Sequence, residues 1–555
     1  MMKTKNEIPF ALPYTLYPIY AYSEDVKGQP AYEIKIDSII PQYIFKEMKK
    51  YGIKFQLPSA KVYMKFLKTE NLYRYTLVEP KIDKEVLDAY IKLVTAIERN
   101  LLSESDRIEL VPVLDEIDEE TPVYKDEEGT EIRKPFRTAL YYVMRNMFGY
   151  NILTPLLLDP KIEDISINGI DIPVFVYHKE YEYMPTNIVF SKNIKIYELN
   201  ADGEELLDDL VSRFISLTSK TISVANPIMD GMLPNKDRIA ATFRKEVSAN
   251  GSTFVIRRFP ESPITILDLI NSNVLSPEVA AYLWYAIDLK MPFMVIGVTG
   301  AGKTTVLGSI LNLVKEQWKI VTIEDIPELN LAQKNWVQLY TRPVYGEVGK
   351  EVTLMDLLKL ALRYRPDIIV VGEIRGEEAY VLFQAISTGH GGATTFHAYD
   401  SESAIRRLMN EPLNIPREWI PMMNLIITVR RLPVYVGDEI LLRRRVVAID
   451  EIVSADNLKR TVKWDPKSDS FIIDYSSMEI LRQRAEEAGL TFDEVRTELL
   501  RRAEFLKMLA LNKQITESKE SYRLLKKYII LYSINPEEAV NELRKLSSTI
   551  KATTK

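Results

Sequence analysis

Gly297, Gly302, Lys303 and Thr304 stand at the spacing G-x-x-x-x-G-K-[ST], within the stretch MVIGVTGAGKTT at residues 294–305. Each residue type has a physical task there. Glycines let successive backbone N–H groups converge on an anion without interference from Cβ, and a helix beginning at the end of the loop adds unpaired N–H groups and a positive dipole end. A lysine at this position bridges β- and γ-phosphates, and a threonine hydroxyl beside it is a hard oxygen ligand for the accompanying Mg²⁺. The chemistry is capture of a nucleoside triphosphate, with Gly297, Thr299, Gly300, Ala301, Gly302, Lys303, Thr304 and Thr305 as the binding set.

Carboxylates follow two later apolar runs. The segment TIEDIPE, residues 322–328, places Glu324 at the end of one, a charged turn closed by proline being the alternative. In DIIVVGEIR, residues 367–375, four apolar residues lead to Gly372 and Glu373, where a carboxylate can hold a metal's water shell or orient an attacking water. The chain has only three histidines, and two of them, His390 and His397, fall within TGHGGATTFHA. With no cysteine and no third ligand nearby, the pair does not make a zinc site.

These residues need a scaffold that brings them together. Residues 293–297, 320–325, 367–372 and 394–397 read as short buried strands, with helical spacing between them, as in Val306, Leu307, Ile310, Leu311 and Val314. Alternating strands and helices predict an α/β domain with a mostly parallel sheet covered on both faces. Ligands bind such sheets beyond the carboxyl ends of the strands, which is where the candidate residues fall.

Around that domain the chain divides by pattern. Residues 1–134 form a variable N-terminal region, Tyr-rich, with a helix predicted at 84–102 and otherwise short strands and turns. The acidic run at 115–131 reads as a solvated linker, with a docking tail as the alternative, and marks the boundary. Residues 135–262 predict a smaller α+β domain. It has a hairpin at 173–187, a helix at 201–218 and two strands joined by the turn Ala249-Asn250-Gly251. A proline-rich hinge follows at about 260–270. Residues 263–512 hold the main α/β domain, with short strands from Val446 and a helix opened by the capping box Thr491–Glu494; residues 513–555 are a helical tail.

Composition narrows the functional classes. Lys and Arg (72) nearly balance Asp and Glu (78), so no global field favours a polynucleotide and no nucleic-acid partner is expected. The absence of cysteine excludes disulfides and fits a cytosolic protein. No apolar run reaches the roughly 18 residues of a membrane span, and the N-terminus carries no secretory pattern, so a membrane role is expected to come through a partner.

Taken in order, GVTGAGKTT, TIEDIPEL, RPDIIVVGEIRG and TGHGGATTFHA resemble the Walker A, aspartate, Walker B and histidine boxes of the secretion ATPase superfamily of type II secretion, type IV pilus and type IV secretion systems. Upstream, LLLDPKIEDISING and DRIAATF with STFVIRRF resemble that family's N-terminal ATPase domain, especially in the archaeal pilus and archaellum branch. The resemblance covers roughly residues 135–455. It implies a RecA-like C-terminal ATPase domain, a homo-hexameric ring, ATP and Mg²⁺, and nucleotide held between a C-terminal and an N-terminal domain. Partners would be a polytopic membrane platform protein and pilin-like filament machinery, with the protein cytoplasmic and peripheral at the inner face of the cell membrane.

Residue by residue, Lys303 and Thr304 match phosphate and Mg²⁺ binding, Glu373 the Walker B glutamate acting on the metal through water, Glu324 the aspartate-box acid and His397 the phosphate-sensing histidine. Arg238 and Arg257 match arginines that reach the nucleotide on domain closure, with Arg258 an alternative. The implied function is an ATPase motor that assembles or rotates a filament or drives secretion. A nucleotide-gated scaffold without turnover and a conjugation-type DNA-transfer ATPase are the alternatives. The four-cysteine zinc insertion common in bacterial pilus and type II motors is absent, which points to archaeal or conjugation-type relatives.

Overall fold

The computed structural model describes residues 26–553, apart from 27, 69, 71, 102–107, 126–127, 192–193, 197–198, 202, 260–261, 343–350, 437–438 and 519. Pro260 and Glu261, which open the expected hinge, therefore lie outside the described residues, as does the N-terminal stretch searched for a secretory pattern. The chain divides into two compact units, Met1–Phe259 and Pro260–Lys555.

The first unit contains β1 (Tyr32–Ile34), β2 (Ala60–Leu67), β3 (Leu72–Val78), β4 (Ile162–Ile167), β5 (Pro173–His178), β6 (Glu182–Val189), β7 (Ile194–Ile196), β8 (Leu199–Ala201), β9 (Ile228–Met232), β10 (Arg238–Thr242) and β11 (Thr253–Arg257). All but the β7–β8 ribbon join one nine-stranded sheet in the order β1-β2-β3-β6-β5-β4-β11-β10-β9. In β10 and β11 the period of two sends Ile239, Ala241, Phe254 and Ile256 into the core and leaves Arg238 and Arg257 on the other face. The helix Gly203–Ser216 packs Leu206, Leu207, Leu210 and Phe214 into the same core, the face its spacing predicts.

The acidic run is not a linker. Its residues up to Glu120 belong to the helix Leu110–Glu120, whose Leu110, Val111, Val113, Leu114 and Ile117 are buried. Val123 and Ile132 share a core with Phe136, Ala139 and Leu140 of the helix Lys134–Met147. The apolar stripe begins upstream of the acidic residues, which form its solvated face, so charge density alone points the wrong way. The sheet also crosses residue 134. Strand β3 pairs in parallel with β6 at Tyr75↔Thr186, and the Asn187 side chain donates to Leu77 O and accepts from Leu77 N, each at 2.9 Å.

The second unit contains β12 (Phe293–Ile296), β13 (Ile320–Glu324), β14 (Trp336–Tyr340), β15 (Ile368–Val371), β16 (Gly391–Phe396), β17 (Leu425–Val436), β18 (Glu439–Ser454), β19 (Asn457–Asp465) and β20 (Ser470–Ile473). Its sheet runs β14-β13-β15-β16-β12-β17-β18-β19-β20, parallel from β14 to β17 and antiparallel beyond. This is the RecA-like α/β arrangement the sequence implies. The four expected strands are present, while β14 and β17 add to them. Strand β14 is only partly buried at the sheet edge, and Arg430, Arg431 and Pro433 interrupt the apolar run of β17.

Alternation along the central strands separates two cores. Phe293, Val295, Ile368 and Val370 face one, with Leu307 and Ile310 of the helix Lys303–Leu311; Met294, Ile296, Ile369 and Val371 face the other, with Leu358, Leu382 and Phe383. A parallel sheet buried on both faces requires such near-continuous apolar strands. Strand β12 lies between β16 and β17, so the chain from β12 to β13 passes over two strands and opens a crevice at the carboxyl ends.

The helices Ser521–Ile534 and Pro536–Thr553 join the first core through Leu525, Tyr528, Ile529, Ala539 and Leu543. Lys526 enters with them, 7% exposed, and its Nζ donates to Val314 O (2.5 Å) and Gln333 Oε1 (2.6 Å). Burial pulls its ammonium down to about 8. Lys526→Met strands these acceptors and is expected to cost about 1–3 kcal/mol in denaturant unfolding. Because the native value lies below the unfolded one, the unfolded state binds more protons between pH 8 and 10.5. Wild-type stability should therefore rise with pH across that window relative to the variant.

Candidate active site

The loop after β12 needs its glycines for two reasons. Gly300 and Gly302 have φ of +75° and +94°, the left-handed region that side chains resist. Gly297 lies so close to β17 that a β-carbon would stand 2.4 Å from Val429 O. The helix Lys303–Leu311 starts at Gly302 without a side-chain cap. Its first N–H groups are left to the loop, which makes the helix start an anion site.

Lys303, 8% exposed, points its Nζ at Val298 O (3.4 Å) and at both ring nitrogens of His397 (3.3 Å each). His397 Nε2 lies 2.9 Å from Glu373 Oε1, and Glu373 Oε2 accepts from Arg375 Nη2 at 2.6 Å. The ends of β12, β15 and β16 thus deliver a lysine, a glutamate and a histidine into one network. Burial pushes the Lys303 ammonium below the ordinary lysine value, opposed by Glu373 and Glu328. Burial and then the Lys303 charge hold His397 below 6.5, opposed by Glu373. His397 is therefore neutral near pH 7.

Glu324 stands one step behind. It is 3% exposed, its Oε1 accepts the N–H groups of Glu328 and Leu329 (2.8 Å each), and its Oε2 accepts from Gln338 Nε2 at 3.0 Å. These bonds hold the turn that brings Glu328 Oε2 within 2.9 Å of Thr304 Oγ1, which donates to it. Glu328, Gln338 and Arg375 are members of this site beyond those the sequence picks out. Glu328 lies in the same acidic segment four residues after Glu324, a usable signal, whereas Gln338 sits on the unexpected β14. His390 precedes β16, at the opposite end of that strand, with Nδ1 3.1 Å from Thr388 Oγ1.

The arginines lie in the first unit. Arg238 and Arg257 are directly opposed across the β10–β11 ladder. Like charges in that position repel, and Asp164 offsets part of this by bonding Arg257 at 3.0 Å (Nε) and 3.4 Å (Nη2). The Arg257 side chain remains 63% exposed. Arg258 turns the other way and bonds the backbone carbonyls of Asp159 and Ile162.

The donor set fits Mg²⁺–ATP. The glycine loop and uncapped helix suit phosphate, and Thr304, Glu328 and Glu373 supply hard oxygens of the kind Mg²⁺ takes. Among the described residues no group of three or more His, Cys, Asp or Glu is placed to hold a metal ion. Once bound, Mg²⁺ would neutralise charge on the phosphates.

The family model for the type II/IV secretion system protein matches residues 153–444, a span containing the loop, both carboxylate segments, His397 and the arginines. The chain belongs to this family. Its relatives include an uncharacterized protein of Methanocaldococcus jannaschii, 39% identical over 339 residues, 60% of this chain and 58% of that protein. The chain thus spans little more than half of that relative's length. The conjugal transfer protein TrbB of Rhizobium radiobacter is 36% identical over 187 residues, 33% of this chain and 55% of its own length. Among solved structures, the VirB11 ATPase of the Brucella suis type IV secretion system is similar at 24% identity, covering 52% of this chain and 90% of that one, with a TM-score of 0.25.

Three histidines make titration of His397 readable by NMR. Its midpoint should fall below 6.5 in the wild type, fall further in Glu373→Gln and rise in Lys303→Met. An unchanged midpoint in both variants would remove the network.

Proposed function

We propose that this protein is an ATP-hydrolysing motor that works as a homo-hexameric ring on a polytopic membrane platform protein, assembling or rotating an archaeal type IV pilus-like filament or driving secretion. In this proposal it acts in the cytoplasm, at the inner face of the membrane. The observation that carries the proposal is the Lys303–His397–Glu373 network beside an uncapped, glycine-lined helix start. A site built only to hold nucleotide needs the loop; it does not need a neutral imidazole and a carboxylate facing the lysine. Similarity to a protein of Methanocaldococcus jannaschii supports the archaeal branch.

The residues divide the work. Lys303 holds the β- and γ-phosphates, Thr304 and Glu328 face the metal, and Glu373 orients the attacking water and the metal's water shell. Glu324 positions Glu328 through the turn it anchors. His397, neutral and 2.9 Å from Glu373, reports the presence of the terminal phosphate. Arg238 and Arg257 supply permanent, bidentate charge to the triphosphate in the hydrolytically competent assembly.

Purified protein should hydrolyse ATP with Mg²⁺, and Lys303→Ala and Glu373→Gln should each lower kcat about 100-fold or more. A wild type no faster than these variants ends the motor proposal; nucleotide binding without phosphate release would favour a gated scaffold. Arg238→Ala should leave the Kd for ATP within about twofold while lowering kcat, because its charge acts in the transition state. Equal losses in both would reject that role.

Similarity to a conjugal transfer protein favours one second reading, a DNA-transfer ATPase. Salt-sensitive DNA binding with DNA-stimulated hydrolysis would select it.

A further inference from the structure

Glu373 and His397 approach the loop from one side, since β15 and β16 lie on one flank of β12. The other flank is β17, whose Val429 carbonyl abuts Gly297, followed by β18. Strand β18 carries three consecutive arginines, and its pairing sets Arg444 opposite Arg431 and Arg445 opposite Arg430. Alternation sends neighbours to opposite faces. Arg445 is buried and held by Asp469, with Nε to Oδ1 and Nη2 to Oδ2 both at 2.7 Å.

Arg444 goes the other way and is exposed. A β-carbon on Gly302 would stand 3.0 Å from Arg444 Cδ and 3.4 Å from its Nε, so the end of the stem rests on the residue that starts the phosphate-loop helix. The guanidinium is thereby placed beside the start of the loop helix, whose first residue is Lys303. Among the described residues no carboxylate pairs with it, whereas Arg375, Arg445 and Arg460 each have one. A guanidinium beside an uncapped helix N-terminus favours an anion at that point.

We propose that Arg444 is a phosphate-binding residue that donates to the α- and β-phosphates of the bound nucleotide. The inference rests on the nucleotide site proposed above. The γ-phosphate belongs with Lys303, His397 and Glu373, and the strand order puts Arg444 on the opposite flank, beside the phosphates that ADP retains. Its planar fork suits two phosphate oxygens at once. Arg444 therefore tunes how long the diphosphate product is held rather than the hydrolytic step.

The test is calorimetric titration of the full chain with Mg²⁺–ADP and with Mg²⁺ plus a non-hydrolysable ATP analogue. Arg444→Met keeps a stem on Gly302 and removes the donors. Loss of a charge-assisted bond should raise both Kd values about tenfold and by the same factor. Arg444→Lys should fall between, and Arg443→Met, on the other face, should stay within about twofold of wild type. The nucleotide-free melting temperature of Arg444→Met should match wild type. Unchanged affinities, weakening confined to the ATP analogue, or an equal effect of Arg443→Met each overturns the assignment. A wild type that binds neither nucleotide overturns the site itself, and this inference with it.

Discussion

The start of the helix Lys303–Leu311 is the constraint on which the second unit depends. Its first N–H groups have no side-chain cap, two preceding glycines are left-handed, and the first helical residue is a lysine with 8% exposure. An arrangement of like partial charges of this kind is costly by itself and pays only in the presence of an anion. Glu373 and Glu328 offset only part of it. Glu373 is shared between His397 and Arg375, and Glu328 is occupied by the Thr304 hydroxyl.

The scaffold holds that helix at both ends. At its start, Gly297 is pressed against the backbone of β17 so tightly that only hydrogen fits at the α-carbon. Just beyond its last turn, Lys526 from the C-terminal helices reaches Val314 O and Gln333 Oε1 from a buried position. A cation near a helix C-terminus complements the dipole, as an anion does at the N-terminus. The tail is in this sense part of the nucleotide-binding unit's core. Between the two ends, strict alternation along β12 and β15 feeds both faces of the sheet, which makes the strand ends a rigid platform for Lys303, Glu373 and His397.

Considered by itself, the first unit shows the same tension between charge and fold. Arg238 and Arg257 directly oppose each other on an antiparallel pair, and Asp164 bonds Arg257, whose side chain is 63% exposed. Arg258 spends its donors on backbone carbonyls and so serves the turn at residues 159–162. The period of two in STFVIRRF, together with the burial of Phe254 and Ile256, decides which of the adjacent arginines faces outward.

Much of the site was legible in the sequence because its requirements are local. The glycine spacing is dictated by backbone geometry within one turn, the apolar runs before Glu324, Glu373 and His397 are dictated by burial of parallel strands, and the capping box at Thr491 is visible at a spacing of three. Contacts between distant segments were not legible. Only the sheet order brings His397 to Lys303 across 94 residues and lays Arg444 on Gly302; only burial of Leu110, Val113 and Ile117 turns an acidic run into a helix face. The physical reason is common to these cases: the sequence by itself determined which residues are the candidates for binding phosphate, since spacing along one strand and one turn suffices for that. The tertiary structure alone decided which charges meet, because strand order and the period of two set partners that no local spacing records.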